Sequence, residues 1–316
     1  MRILGSTKNY DSPKSSAVAI GIFDGVHRGH QVLLGKVKEL AAEHDLESIA
    51  YTFDPHPAVL LVPTRAPRLI EPIATRLERF EALHVDAALI ERFSVAFAAT
   101  PPEEFVDRIL LHDLRARHVV VGAGFTFGAG GKGTTELLRA RATAAGAVIH
   151  VVEPVIIDGE RVSSTRIRTA VSDGDVRAAA TLLGRPFALY GLVMRGARRG
   201  QALGFGTANL APENELRPKN GVYACRVTGR IGSFQSVVNV GTTPTFGAGG
   251  LKIEAHLLDF DGHELYGTAL AIEFLARLRD EQKFADVAAL KAQIQRDIET
   301  AVALPDWGAS SPSAAR

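Results

Sequence analysis

The sequence predicts an α/β chain in two parts, a parallel-sheet domain followed by a small antiparallel β-barrel domain with a C-terminal helix. Three observations predict it. Apolar runs alternate with amphipathic helical stretches through the first half, the pattern of a parallel sheet covered by helices. Gly184-Arg185-Pro186 breaks that pattern. Beyond the break, short strand-like runs follow one another between Gly and Pro with no helices between them, the pattern of a small barrel.

In chain order, residues 1–16 are polar and read as loose or as an edge element. Ala17 to Phe23 is a continuous apolar run, as in a strand buried on both faces. His30 to His44 follows with Leu33, Val37, Leu40 and Ala41 on one helical face. Ser48 to Phe53, Ala87 to Ile90, His118 to Val121 and Ala147 to Val152 read as further strands. Pro72 to Leu83, Pro102 to Leu111 and Thr134 to Ala145 read as the helices between them. Val155 to Val162 carries the turn signal Asp158-Gly159, and Ser163 to Ser172 and Asp175 to Leu183 read as two short helices. The barrel strands are Leu189 to Met194, Val222 to Val227, Ser236 to Val240, Ile253 to Leu258 and Leu270 to Phe274. A last helix carries Val287, Leu290, Ile294 and Ile298 on one face, and a Ser/Ala/Pro-rich tail from Pro305 reads as disordered. The expected domains are therefore 1–185 and 186–304, with 305–316 as the tail.

Composition narrows the function. The 316 residues are 46% hydrophobic and 22% charged with a net charge of +1, an ordinary globular balance that gives no support to a nucleic-acid partner. Cys225 is the only cysteine, so no internal disulfide forms, which fits a reducing, cytoplasmic compartment. No apolar run approaches the roughly 20 residues of a membrane helix, and the N-terminus lacks the apolar core of a signal peptide.

Chemistry concentrates where strands give way to helices, the edge at which parallel sheets bind ligands. Gly21-Ile22-Phe23-Asp24-Gly25-Val26-His27-Arg28-Gly29-His30 lies at the first such junction. Its glycines allow close backbone approach to an anion, and a helix N-terminus offers free N–H groups. His27 and His30 are placed to stabilise charge growing on a phosphoryl group and its departing pyrophosphate. Taken alone, the two histidines also fit a tight turn with surface imidazoles, or a zinc pair, although no cysteine or clear third ligand accompanies them. Ser163, Ser164, Thr165, Arg166 and Arg168 combine hydroxyls, a helix start and guanidinium groups suited to a triphosphate tail, or to an ordinary helix cap with solvent arginines.

Together these segments resemble the HxGH nucleotidyltransferase superfamily, whose domain is Rossmann-like. Tyr51-Thr52-Phe53-Asp54-Pro55-His56-Pro57 and Gly122-Ala123-Gly124-Phe125-Thr126-Phe127-Gly128 narrow the resemblance to the adenylyltransferase module of bacterial FAD synthetases, over roughly residues 16 to 183. The resemblance implies that Gly21, Phe23, Asp24, Gly25, Gly29, Gly122, Phe125 and the Ser163–Arg168 stretch bind nucleotide. It implies that Asp54, His56 and Pro57 meet the flavin.

The basic, glycine-rich stretch Arg195 to Asn209 can cradle phosphates, with Thr207 and Asn209 as hard oxygen ligands, or form a solvated barrel loop. It resembles the riboflavin kinase signature. Asn220 to Ala224, Asn239 to Thr242, Ile253 to Phe260 and Phe274 to Phe284 extend that resemblance over roughly residues 187 to 302. The resemblance implies ATP binding by Gly196, Arg199, Gly200, Gly204, Thr207 and Asn209, Mg²⁺ on Thr207 and Asn209, and Glu254 as the base that deprotonates the flavin's ribityl hydroxyl.

Both resemblances imply a bifunctional riboflavin kinase/FAD synthetase. Its substrates and products would be ATP, riboflavin, FMN and FAD, and it would work as a monomer or weak homo-oligomer without membrane or nucleic-acid partners. Ile22, Gly124, Gln201 and Gly206 depart from the family pattern, where Asn, Asn or Asp, a basic residue and Pro are usual. Three other readings stay open on these residues: a kinase with a decayed adenylyltransferase, a non-enzymatic flavin-nucleotide binder, and a transferase for another nucleotide such as CMP.

Overall fold

The computed structural model describes residues 1–194, 207–243, 250–260, 265–305 and Trp307. Two compact units divide the chain: Met1–Arg68 with Ile73–Ser163, and Leu69–Pro72 with Ser164–Arg316. Each is described by itself.

The first unit holds a six-stranded parallel sheet made of β1 (Arg2–Leu4), β2 (Ser16–Ile20), β3 (Glu47–Asp54), β4 (Ala87–Arg92), β5 (Ala116–Gly122) and β6 (Val148–Val152). Its order is β1-β4-β3-β2-β5-β6, so the strand order reverses between β2 and β5. The polar N-terminal segment thus supplies an edge strand, with Arg2–Leu4 paired to Ala87–Leu89.

Every residue of β2 is buried, and alternate side chains enter two cores. Val18 and Ile20 face one layer with Phe105, Val106 and Ile109. Ala17 and Ala19 face the other, where helix α1 (Arg28–Glu43) sets down Leu33, Leu34, Val37, Leu40 and Ala41. Small residues on that face let the helix approach closely. α1 starts at Arg28 rather than His30, which makes His27 its N-cap and puts His30 in its first turn. The stretch expected as an α-helix over Pro102 to Leu111 is mostly π-helical, over Phe105–Asp113. A two-stranded hairpin, β7 (Ile156–Ile157) with β8 (Glu160–Arg161), realises the Asp158-Gly159 turn.

The second unit is a closed antiparallel barrel of β9 (Phe187–Met194), β10 (Thr207–Pro212), β11 (Gly221–Gly229), β12 (Gly232–Thr243), β13 (Gly250–Leu257) and β14 (Ala269–Arg279), in the order β10-β13-β12-β11-β14-β9. Thr207 to Asn209 was expected in a loop, yet it begins a strand. Its alternation explains this, with Ala208 and Leu210 buried and Asn209 half-buried on the opposite face. Helices Ser164–Asp173 and Val176–Leu183 belong to this unit by contact, the latter packing on β9 and β14. The C-terminal helix is Val287–Val302. Trp307, in the tail expected to be disordered, is buried beside Val222 and Val237, and the rest of the tail after Pro305 lies outside the described residues.

Candidate active sites

The first site is built on the loop between β2 and α1, at the reversal in strand order, where open parallel sheets form a binding crevice. Its backbone is forced. Phe23 (φ 52°) and Val26 (φ 34°) take left-handed conformations that side chains rarely adopt, and Gly25 (φ 78°) lies between them. Such strain persists only where the surroundings hold it. Here the Phe23 ring is fully buried, edge-on to Phe80 at 5.5 Å and to His30 at 5.3 Å. The buried Arg76 guanidinium donates to the Ile22 carbonyl at 3.0 Å and lies 3.9 Å from the buried Asp24 carboxylate. Thr52 Oγ1 donates to the same carbonyl at 2.9 Å.

The bracing of this loop therefore runs through the Ile22 backbone. The Ile22 side chain takes no part in these bonds, so the departure from Asn leaves the turn intact.

His27 and His30 are stacked, with ring centroids 3.6 Å apart and 15° between planes. His27 Nδ1 accepts the His30 backbone N–H at 3.3 Å, which leaves the proton of a neutral His27 on Nε2. A Cβ on Gly29 would lie 3.2 Å from the His27 ring, so glycine makes room for the stack. Among the described residues His30 Nδ1 has no hydrogen-bond partner. Burial, then the charges of His27 and Arg76, holds His30 well below the ordinary imidazole range. A buried imidazole with an unused nitrogen is a ready partner for a phosphoryl oxygen.

Neighbouring loops complete this edge. Gly122 ends β5, and Gly124 has φ 77° with open space where a side chain would stand. Asn and Asp tolerate that left-handed backbone as glycine does, so the departure at Gly124 removes a polar group and keeps the turn. Phe125 stacks on Phe127 at 5.5 Å. Asp54 is exposed at the end of β3, and His56 Nδ1 caps the short helix Pro57–Leu61 by accepting the Ala58 N–H at 3.0 Å. Arg76 was not among the expected site residues; its burial beside the loop is what brings it to the Ile22 carbonyl.

Ser163 closes the first unit, while Ser164, Thr165, Arg166 and Arg168 stand on the first turns of the helix Ser164–Asp173 in the second. Ile167 and Val171 are the buried face of that helix.

The second site lies on the barrel wall. Gly196, Arg199, Gly200, Gln201, Gly204 and Gly206 lie outside the described residues. Thr207 is paired in register with His256. Asn209 is directly opposite Glu254, and Glu254 is directly opposite Asn239, so three polar residues form one row across β10, β13 and β12. Directly opposed residues share a face. The inward neighbours Ala208, Ala255 and Val238 are buried and fix which face the row takes. Lys252 Nζ pairs with Glu254 Oε2 at 2.7 Å. Asn239 and Asn220 amides donate to the Glu281 carboxylate at 3.5 and 3.2 Å. Asn239, Lys252 and Glu281 were not among the expected site residues: strand register brings Asn239 opposite Glu254, Lys252 stands two residues before Glu254 on β13, and Glu281 reaches the row only through Asn239.

Comparison with known proteins finds a match for each half of the chain. The FAD synthetase family model matches residues 9–166 and the riboflavin kinase model matches residues 183–304. A bifunctional riboflavin kinase/FMN adenylyltransferase of Pseudomonas fluorescens is 37% identical over 304 residues, 96% of each chain. The protein so described from Bacillus subtilis is 36% identical, over 91% of this chain and 92% of that one. A Streptococcus pneumoniae crystal structure, described as a macrolide-efflux protein, superposes with a TM-score of 0.87 at 30% identity, over 96% of this chain and 98% of that one. Its description is not matched by a membrane helix here: among the described residues no helix is long and apolar enough to cross a membrane. With both family models matched in one chain, and with relatives this similar along nearly their whole length, the chain belongs to the bifunctional riboflavin kinase/FMN adenylyltransferase family.

Proposed function

We propose that this chain makes FAD from riboflavin in two ATP-dependent steps, the first on the barrel and the second on the parallel sheet. In the first, Glu254 takes the proton of the ribityl 5′-hydroxyl as that oxygen attacks the γ-phosphorus of ATP, giving FMN and ADP. Thr207 and Asn209 offer the hard oxygens Mg²⁺ prefers, and the ion when bound neutralises phosphate charge. Asn209 in register with Glu254 supports this, because it sets the metal's ligand beside the base.

In the second step an FMN phosphate oxygen attacks the α-phosphorus of a second ATP and pyrophosphate leaves. His27 and His30 donate to the oxygens on which charge grows, while backbone N–H groups of the strained loop and the start of α1 receive the phosphates. Arg166 and Arg168 bind the triphosphate tail in this reading, and Asp54, His56, Pro57 and Phe125 border the flavin. The modules are 1–185 and 186–304, and the enzyme works in the cytoplasm as a monomer or weak homo-oligomer.

The observation that carries the reading is the stacked His27–His30 pair on a braced, strained loop at the reversal of strand order. Product analysis of the purified protein with riboflavin, ATP and Mg²⁺ tests it. FAD is expected. FMN as the end product would mean a decayed second site, and no turnover would reduce the chain to a binder.

A further inference from the structure

The loop that carries the histidine pair is shaped by a helix with no part in the proposed chemistry, Ile73–Ala82. Past the end of β2, the Gly21 N–H still reaches the Tyr51 carbonyl at 3.1 Å, and α1 is capped only at His27. Between them the Ile22 carbonyl is held twice, by Thr52 Oγ1 from β3 at 2.9 Å and by Arg76 Nη1 at 3.0 Å. That carbonyl lies in one rigid plane with the N–H of Phe23. Holding it therefore fixes the rotation at Phe23, whose φ of 52° is costly for a residue with a side chain. The same guanidinium stands 3.9 Å from the carboxylate of Asp24, the residue after Phe23. Phe80, one helical turn on from Arg76, sets its ring edge-on to the Phe23 ring at 5.5 Å. Arg76, Asp24 and Phe80 are all buried, at 3%, 1% and 0% exposure, so solvent does little to screen or loosen these contacts.

We propose that Arg76 is a positioning residue for FMN adenylylation: its guanidinium spans Phe23, from the carbonyl before it to the carboxylate after it, and so holds the loop in the shape that presents His27 and His30 to the phosphates. This role rests on the adenylyltransferase reading given above. Arginine suits it, because a planar fork serves two acceptors at once in a fixed geometry, whereas a lysine ammonium is a point charge on a flexible stem. If the Ile22–Phe23 peptide turns, the Phe23 ring leaves its place, and that ring is what packs against His30 at 5.3 Å. Arg76 touches no reacting atom in this account and acts through the loop.

The guanidinium also bears on the charge of His30. Burial, then His27 from the end of the loop, then Arg76 from the helix hold that imidazole well below its ordinary range. Asp24 is the carboxylate facing Arg76. Removing the guanidinium takes away a cation and leaves that carboxylate behind, and both changes favour a protonated His30. Its pKa then rises, so the limb of the pH–rate profile that His30 governs moves to higher pH, whichever protonation state turns over. Lysine keeps the cation and loses the fork. Shape and charge are therefore separable at this one position.

The test is FAD formation from FMN and ATP by the full-length protein, followed as kcat and KM across a range of pH. Arg76→Lys should lower kcat by about 10²-fold, the cost of misplacing catalytic groups by about 1 Å, with KM for ATP little changed and the pH profile unmoved. Arg76→Met should lower kcat as far and shift the His30 limb to higher pH. Arg76→Gln, uncharged but still carrying an amide donor, repeats the pH measurement should Arg76→Met unfold, with circular dichroism reporting the fold. Partial unfolding lowers the rate by one factor at every pH and leaves the profile where it was. The phosphates of the substrates titrate too, but equally in wild type and variants. A wild-type rate in Arg76→Lys would overturn the proposal, as would a loss of rate in the uncharged variants with an unmoved profile. Wild-type protein that forms no FAD from FMN would instead sink the adenylyltransferase reading, and this role with it.

Discussion

His30 shows how one side chain is tuned by its setting. It sits against Phe23 and His27 with Arg76 nearby, and its pKa is lowered first by burial and then by those two charges. It is therefore neutral at pH 7, and protonation is disfavoured in the fold relative to the unfolded chain, where an imidazole titrates near about 6.5. The unfolded state takes up the proton first as pH falls, so the contribution of His30 to stability is full above about pH 6.5 and is lost below it. His118 and His150 act with the same sign. The melting temperature, followed from pH 8 to pH 5, should fall on the acid side, and the slope should be shallower in His30→Gln than in wild type. An identical slope would remove His30 from this account. The same residue scale separates the two chemistries. His27→Ala should lower FAD formation from FMN by about 10²–10³-fold, the usual cost of a lost transition-state donor. Glu254→Gln should lower FMN formation by about 10²–10⁴-fold, as for a lost general base. Initial rates of each half-reaction check both.

At the scale of elements, two devices position the sites. One is the entry to α1, where Gly29 leaves room for the His27 ring and His27 caps the helix it precedes. The other is the β9–β10 pair of the barrel, which carries Asn209 to Glu254. Gly191 on β9 faces Pro212 on β10, and a Cβ there would lie 2.0 Å from the Ala211 carbonyl oxygen. That obstacle is backbone and cannot rotate away. Gly191→Ala should destabilise the barrel by about 1–3 kcal/mol, as overpacking commonly does. At about 2–4 °C per kcal/mol for a chain portion of this size, the melting temperature should drop by several degrees. Riboflavin phosphorylation should be lost on heating before FMN adenylylation. Gly241, by contrast, is crowded by the flexible Glu281 carboxylate, so a methyl group there can be met by side-chain movement.

For the whole molecule, the two sites belong to different cores and different sheets. Their defects should therefore be separable in the intact protein. Given riboflavin and ATP, His27→Ala should accumulate FMN. Glu254→Gln should form neither product from riboflavin, yet should convert supplied FMN to FAD. Chromatography of the flavins reads both outcomes, and a Glu254→Gln protein unable to use supplied FMN would contradict the assignment of separate sites.

The alternation of strands and helices, the glycines and histidines after β2, and five of the barrel strands, one of them carrying Glu254, were legible in the sequence, because hydrophobic period and turn chemistry are local properties. The sixth strand, β10, was not, because Thr207 to Asn209 carries the same polar residues a ligand loop would. Nothing local marks Arg76, whose burial against the Ile22 carbonyl depends on a helix docking beside a loop 54 residues away in sequence. Asn239 meets Glu254 only through the register of β12 against β13. The sequence by itself determined which chemical groups the chain carries and the secondary structure that bears them. Tertiary structure decided which groups meet and how their protons are held, because those depend on distances and burial set by packing between segments far apart along the chain.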